Sequence, residues 1–60
     1  MKLGKLRDVR LSKPLTQEEL SKATGVTEAT ISRIESGQEA RISTARKLAT
    51  ALGVEVRELT

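Results

Sequence analysis

The sequence predicts an all-α domain, a compact bundle of five short helices. Apolar residues recur at the three- and four-residue spacing of helices, and no segment alternates apolar and polar residues as a half-buried strand does. Glycines fall where helices should end, because the residue after a helix often adopts a left-handed conformation that glycine takes without strain. With 60 residues, the chain is predicted to form a single domain that covers residues 1–60.

The two ends of the chain predict the first and the last helix. Leu3, Leu6 and Arg10 would lie on one face of helix one, and Pro14 would end it because proline cannot continue a helix. The last segment is typical of a fifth, short helix. Its apolar positions are Val54, Val56 and Leu59.

Three glycines mark the ends of the middle helices, at Gly25, Gly37 and Gly53. Apolar residues repeat at helical spacing before each of them, so each helix has one face for a common core. Arg41 or Ser43 could be the N-cap of helix four, so that helix starts just after one of the two. The apolar positions are Leu20 and Ala23 in helix two, Ile31 and Ile34 in helix three, and Ile42, Ala45, Leu48, Ala49 and Leu52 in helix four.

Two helix starts are well specified. Thr16 followed by Glu19 predicts a capping box, in which each side chain bonds a free backbone N–H of the other residue. Thr27 caps the next helix through its hydroxyl, so that helix begins at Glu28. The segment from Thr16 to Gly37 is thus two short helices joined by a three-residue turn, the layout of a DNA-reading helix-turn-helix.

The composition argues against metal binding and catalysis. The sequence holds no cysteine and no histidine, so disulfides and thiolate metal sites are excluded and the commonest residues of zinc sites and neutral-pH acid–base chemistry are missing. No apolar run approaches the roughly 18 residues of a membrane span, and the N-terminus lacks the apolar core of a secretory signal. We therefore expect a cytoplasmic protein with no metal, no cofactor and no membrane contact.

Net charge and the missing aromatic residues favour duplex nucleic acid as the partner. The chain carries a net charge of +3, and residues 1–13 hold five cations against the single acid Asp8. This charge favours an anionic partner, although a solvated helix face explains it as well. Phe, Tyr and Trp, on which single-stranded bases usually stack, do not occur. Double-stranded DNA is the expected partner.

The outward face of helix three is the candidate for reading bases. At about 100° per residue, Ile31 and Ile34 point to the core and the opposite face is small and polar, so the helix could approach a major groove. Arg33 can there bond two acceptors of guanine, whereas Glu28 is repelled by phosphates unless it accepts from a cytosine amine. A solvated arginine on a solvated face is the alternative. The outward residues are Glu28, Ala29, Ser32, Arg33 and Ser36.

Four other polar residues are candidates for phosphate contacts. Gln17 opens helix two, where free N–H groups and the positive helix end favour an anion. Lys13, Gln38 and Arg41 lie in the loops before helix two and after helix three, from which they could hold the DNA backbone. The alternatives are a polar helix-start residue at Gln17 and solvated side chains in the loops.

Glu35 is the unusual residue of helix three because it lies beside Ile34, partly on the inward side of the helix. A carboxylate there needs a partner, and Arg10 on the inward face of helix one is the natural one. A rim-exposed Glu35 without a partner is the alternative.

These segments resemble the phage repressor and Cro-type helix-turn-helix domains, often called the XRE family. The matching motifs are LTQEELSKATGV, TEATISRIESG, RKLATALGV and VEVREL, and together they span nearly the whole chain. The resemblance implies that Gln17 touches phosphate and that Arg10 and Glu35 form a buried ion pair. It also implies a repressor-like bundle that binds a pseudo-palindromic operator as a two-fold dimer, with half-sites about one helical turn apart. The residues that it places in the major groove are Thr27, Glu28, Ala29, Ser32 and Arg33.

The leading interpretation is a sequence-specific transcriptional regulator, a repressor that occupies its operator as a homodimer and needs no catalytic group. The alternative is a protein-interaction module of antitoxin or coactivator type, in which the same helices bind a protein. An enzyme is the weakest interpretation, because the adjacent Glu18 and Glu19 face different directions on a helix and have no histidine or cysteine partner.

Overall fold

The computed structural model describes residues 1–60 and contains four α-helices and one short 3-10 helix. The α-helices are α1 (Leu6–Ser12), α2 (Gln17–Thr24), α3 (Glu28–Glu35) and α4 (Ile42–Leu52), and the 3-10 helix is Val56–Glu58. Helix α2 packs against both α3 and α4, and α1 packs against α3. None of the helices is long and apolar enough to cross a lipid bilayer. The prediction of an all-α fold is confirmed.

The predicted fifth helix is wrong. Its segment forms a single 3-10 turn, closed by bonds from the N–H of Glu58 to the carbonyl of Glu55 at 2.9 Å and from Leu59 to Val56 at 2.9 Å. One such turn suffices to place Leu59 in the core, where it is fully buried. Three residues are too few to offset the cost of nucleating an α-helix.

The first helix begins later than predicted, because Leu3 belongs to an extended segment before α1. This segment lies against two distant parts of the chain: the N–H of Ala40 donates to the carbonyl of Met1 at 2.7 Å, and the N–H of Lys5 donates to the carbonyl of Leu59 at 2.8 Å. Leu3 is buried in the apolar core although it is not helical. The N-terminal segment therefore connects the α3–α4 loop to the C-terminal turn.

The core is a cluster of eleven buried apolar residues from all four α-helices and from the segments between and beside them. Ile42, predicted to belong to it, is 58% exposed. It is the first residue of α4, and the buried face of that helix starts at Ala45. The core residues are Leu3, Leu6, Leu20, Ile31, Ile34, Ala40, Ala45, Leu48, Ala49, Leu52 and Leu59.

The starts of α2 and α3 agree with the sequence prediction. The hydroxyl oxygen of Thr16 accepts from the N–H of Glu19 at 3.0 Å, and the carboxylate of Glu19 accepts from the N–H of Thr16 at 2.9 Å. The Thr27 hydroxyl oxygen accepts from the N–H of Thr30 at 3.2 Å, so α3 begins at Glu28. Between the two helices, Gly25 has a φ of +77°, which lets the chain turn sharply with no Cβ strain. Local capping thus determines where α2 and α3 begin.

Candidate nucleic-acid interface

The outward face of α3 is open to solvent. Arg33, Glu28 and Ser32 are exposed, and their side chains make no hydrogen bond or ion pair with other residues. Ala29 is exposed between them and adds little bulk. The opposite face holds α3 in the fold. It consists of Ile31, 0% exposed, and Ile34, 3% exposed.

The two hydroxyls at the ends of α3 are occupied by the helix itself. The Thr27 hydroxyl donates to the hydroxyl oxygen of Thr30 at 2.9 Å, in addition to its capping bond. The Ser36 hydroxyl donates to the carbonyl of Ser32 at 2.9 Å. Thr27 is exposed just before α3, but its hydroxyl proton is donated to Thr30 and its hydroxyl oxygen accepts the capping bond.

The carboxylate of Glu35 lies between three side-chain donors. Arg10 donates from Nε to Oε2 at 2.7 Å and from Nη2 to Oε1 at 3.0 Å, and the Gln17 amide donates to Oε1 at 3.0 Å. Arg10 also donates from Nη1 to the carbonyl of Leu15 at 2.8 Å. The structure therefore joins Arg10 and Glu35, which the sequence had suggested as partners, and adds Gln17 and Leu15 to the network.

The charge of Glu35 is stabilised in this network. Burial raises the pKa of the Glu35 carboxyl, whereas hydrogen bonds from Arg10 and Gln17 and the charges of Arg10 and Arg7 lower it by more, so the pKa lies below its ordinary value. The hydrogen bond with Glu35 likewise raises the pKa of Arg10. Both groups stay ionised at neutral pH, and no buried side-chain nitrogen or oxygen atom lacks a hydrogen-bond partner.

Gln17 stands at the first position of α2 and is half-buried. One of its amide protons is used on Glu35, and the other has no acceptor within the chain. The backbone N–H groups of Gln17 and Glu18 precede the first intrahelical hydrogen bond of α2, which the N–H of Leu20 donates to Thr16. The start of α2 thus has free donors, and the phosphate contact at Gln17 stays a prediction.

The loop candidates are exposed, and their side chains make no hydrogen bond or ion pair within the chain. Lys13 follows the last residue of α1. Gln38 and Arg41 lie in the connection from α3 to α4, and Arg41 is the residue before α4, which it does not cap through its side chain. Because they lie on the surface, these three side chains are accessible to a phosphate group.

One surface residue near the network carries no role in the sequence predictions. Arg7 lies one helical turn before Arg10 on α1 and lines a polar groove that continues along the end of α3. The sequence signal that could have identified Arg7 is its i, i+3 spacing to Arg10, because residues three positions apart are neighbours on the surface of a helix. Apolar periodicity points only to the inward residues of α1, and Arg7 is not one of them.

Comparison with known proteins identifies the fold family. A family model described as Helix-turn-helix matches residues 6–59, which is most of the chain. No curated protein and no solved structure gives a significant match. The matched range includes the capped helix pair, the three-residue turn between them and the helices on either side. The chain therefore belongs to the XRE-type helix-turn-helix family of DNA-binding regulatory domains.

Proposed function

We propose that the chain is a sequence-specific transcriptional repressor that occupies a palindromic operator in double-stranded DNA, with α3 in the major groove. The observation that carries this proposal is the outward face of α3. Glu28, Ser32 and Arg33 on this face make no side-chain hydrogen bond or ion pair within the chain. Ile31 and Ile34 hold the other face in the core. Exposed polar groups on a rigidly packed helix are available for another molecule at no cost to the fold.

The composition of this face fits base edges. Ala29 and Ser32 are small enough for the backbone of α3 to come close to the floor of the groove. Arg33 in the last turn can donate two hydrogen bonds to O6 and N7 of guanine, and Glu28 in the first turn can accept from N4 of cytosine. At the end of the strip, Thr27 offers a methyl group for apolar contact with thymine.

Phosphate contacts would orient the domain on the duplex. Gln17 and the N–H groups at the start of α2 suit a phosphate on one side of α3. Lys13, Gln38 and Arg41 are exposed cations and donors that suit the backbone elsewhere. None of these contacts carries base information, so in this proposal they supply affinity and register while α3 supplies specificity.

In this proposal the chain binds as a homodimer, at least on DNA, because α3 spans only eight residues and reads too few bases alone. A two-fold dimer doubles the site and requires half-sites about one helical turn apart. The proposal involves no catalytic group, metal or cofactor, and it locates the protein in the cytoplasm with the DNA that it regulates.

Selection of bound sequences from a random duplex pool tests the proposal. We expect an enriched pseudo-palindrome whose half-sites are about 10 base pairs apart from centre to centre. Affinity for the selected duplex should fall by orders of magnitude between about 50 and 200 mM salt. No enrichment together with a salt-independent affinity would contradict DNA binding and would favour the protein-interaction module instead.

A further inference from the structure

We propose that the polar groove beside α3 binds one phosphate of the DNA backbone and that Arg7 is its principal cation. This inference rests on the proposed function and extends it to a contact on α1. The groove lies where α1, the start of α2 and the last turns of α3 meet. Its lining is entirely polar: Arg7, Arg10, Gln17, Ser32, Glu35 and Ser36.

The acidic residue of the groove does not oppose an anion. Both carboxylate oxygens of Glu35 accept hydrogen bonds from within the chain, Oε2 from Arg10 and Oε1 from Arg10 and Gln17. The charge of Arg10 balances that of Glu35, and its donors are directed at Glu35 and at Leu15. The charge of Arg7 has no such partner, so the lining as a whole is positive.

Spare donors converge on the groove from three elements. Arg7 on α1 is exposed and makes no ion pair or hydrogen bond, although its charge is close enough to Glu35 to contribute to the lowered pKa of that carboxyl. The Gln17 amide on α2 donates one proton to Glu35 and keeps the other. The hydroxyl of Ser32 on α3 makes no hydrogen bond within the chain, since only its backbone carbonyl accepts from Ser36. A phosphate presents acceptor oxygens in several directions, which suits donors that come from separate elements.

The position of the groove selects a backbone phosphate over a base edge. Ser32 belongs both to the outward strip of α3 and to the lining of the groove, so the groove borders the strip directly. When a helix lies in the major groove, the surface that flanks it faces the sugar-phosphate backbone at the edge of that groove. Arg7 would therefore contact the sugar-phosphate backbone of one DNA strand, while Arg33 contacts base edges.

The test is the salt dependence of DNA binding by Arg7→Gln, measured by fluorescence anisotropy on labelled duplexes of about 24 base pairs. One duplex has random sequence and the other has the selected sequence. Loss of one phosphate contact reduces the slope of log K against log salt by about 0.9 for each bound chain. We expect this reduction on both duplexes, since a phosphate carries no sequence information. Arg7→Lys, which keeps the charge, should retain most of the slope.

Arg57→Gln is the matched control, because Arg57 is an exposed, unpaired arginine on the 3-10 helix and its loss changes the net charge equally. An unchanged slope in Arg7→Gln, or an equal reduction in Arg57→Gln, would overturn the phosphate site and leave DNA binding intact. A wild-type affinity that is independent of salt would instead overturn the proposed function, and the site with it. Because Arg7 is exposed, thermal unfolding should show both variants folded like the wild type.

Discussion

Arg10 on α1 and Glu35 at the end of α3 are joined by two parallel hydrogen bonds, at 2.7 and 3.0 Å. Their side chains are only 8% and 6% exposed. The third hydrogen bond of Arg10 reaches the carbonyl of Leu15, just before α2. A single side chain of α1 thus fixes both helices of the helix-turn-helix, and the angle between α2 and α3 depends on it.

Arg10→Met should destabilise the domain strongly, because it leaves the Glu35 carboxylate buried without its cation. Removal of one member of a buried pair typically costs about 3–5 kcal/mol, a large share of the stability of so small a domain. We expect a loss of about 3 kcal/mol in the free energy of unfolding, measured by urea titration with circular dichroism. The double variant Arg10→Met/Glu35→Leu should recover part of this loss.

The control for this prediction is the exposed pair of Lys22 and Glu18, whose Nζ and Oε2 are 4.0 Å apart with side chains 78% and 65% exposed. Solvent-exposed pairs contribute at most about 1 kcal/mol. Lys22→Met should therefore change the free energy of unfolding much less than Arg10→Met does. Equal effects of the two substitutions would show that the Arg10 network is not needed for stability.

The stability of the domain should decrease in acid. The pKa of Glu35 is below its ordinary value of 4.5 in the folded chain, so the folded state favours the charged carboxylate more than the unfolded state does. The resulting stabilisation is complete above the ordinary pKa and is lost as the pH falls through the lower folded pKa. Glu19 contributes in the same direction, because hydrogen bonds from the backbone N–H and the side chain of Thr16 lower its pKa.

Urea titrations from pH 7 downward test this dependence. The free energy of unfolding should stay level to about pH 5 and then fall as the pH decreases further. Glu35→Gln removes one of the two titrating groups, so its free energy of unfolding should fall less steeply in acid. A variant with the same acid dependence as the wild type would mean that Glu35 has the same pKa in both states.

Thr16→Ala should weaken the start of α2. The substitution removes the oxygen that accepts from the N–H of Glu19 at 3.0 Å and disrupts the reciprocal bond of the capping box. Loss of such an N-cap typically costs about 1 kcal/mol. Thr16→Ser keeps the hydroxyl and is expected to retain wild-type stability within about 0.3 kcal/mol. Thermal unfolding of the two variants side by side gives the difference, and identical midpoints would contradict the capping role.

The features that sequence predicted well are those determined by neighbouring residues. The caps at Thr16 and Thr27 depend on residues three positions away, and the exposed strip of α3 follows from the spacing of Ile31 and Ile34. The choice of Arg10 as the partner of Glu35 needed more, namely the inward placement of both residues and the family resemblance. For the two caps and the exposed strip, capping residues and helical periodicity were sufficient.

The features that sequence missed depend on distant contacts. Leu3 has helical spacing to Leu6, yet its backbone is held by pairing of the N-terminal segment with Ala40 and Leu59, more than 30 residues away. The exposure of Ile42 depends on where the neighbouring helices end, which its own sequence does not encode. Gln17 was predicted only as a phosphate contact, and the hydrogen bond that it donates to Glu35 arises only when α2 and α3 pack together.

Two isoleucines give a direct measure of the core boundary. Ile31 is 0% exposed and Ile42 is 58% exposed, although both have apolar neighbours at helical spacing. Ile31→Val removes one methylene group from a closely packed site and should cost about 1 kcal/mol. Ile42→Val removes the same group from the surface and should change the free energy of unfolding by less than about 0.5 kcal/mol. Equal costs in urea titrations would place Ile42 in the core.

Arg33 and Lys13 should differ in how their loss affects DNA binding, because the proposed function gives one a base and the other a phosphate. Arg33→Ala removes a bidentate contact worth about 1–3 kcal/mol of discrimination, so it should relax the preference at one base pair of each half-site. Lys13→Ala should weaken binding to every sequence by the same factor and lower the salt slope by about 1.

Repeating the duplex selection with both variants separates these effects. The Arg33→Ala pool should lose information at one symmetric pair of positions and keep the rest of the motif. The Lys13→Ala pool should give the wild-type motif with lower affinity throughout. Because both residues are exposed and unpaired, neither change should alter folding, so the comparison isolates binding. Identical motifs and identical losses of affinity in the two variants would refute the assignment of Arg33 to a base and Lys13 to a phosphate. The proposed orientation of α3 on the DNA depends on that assignment.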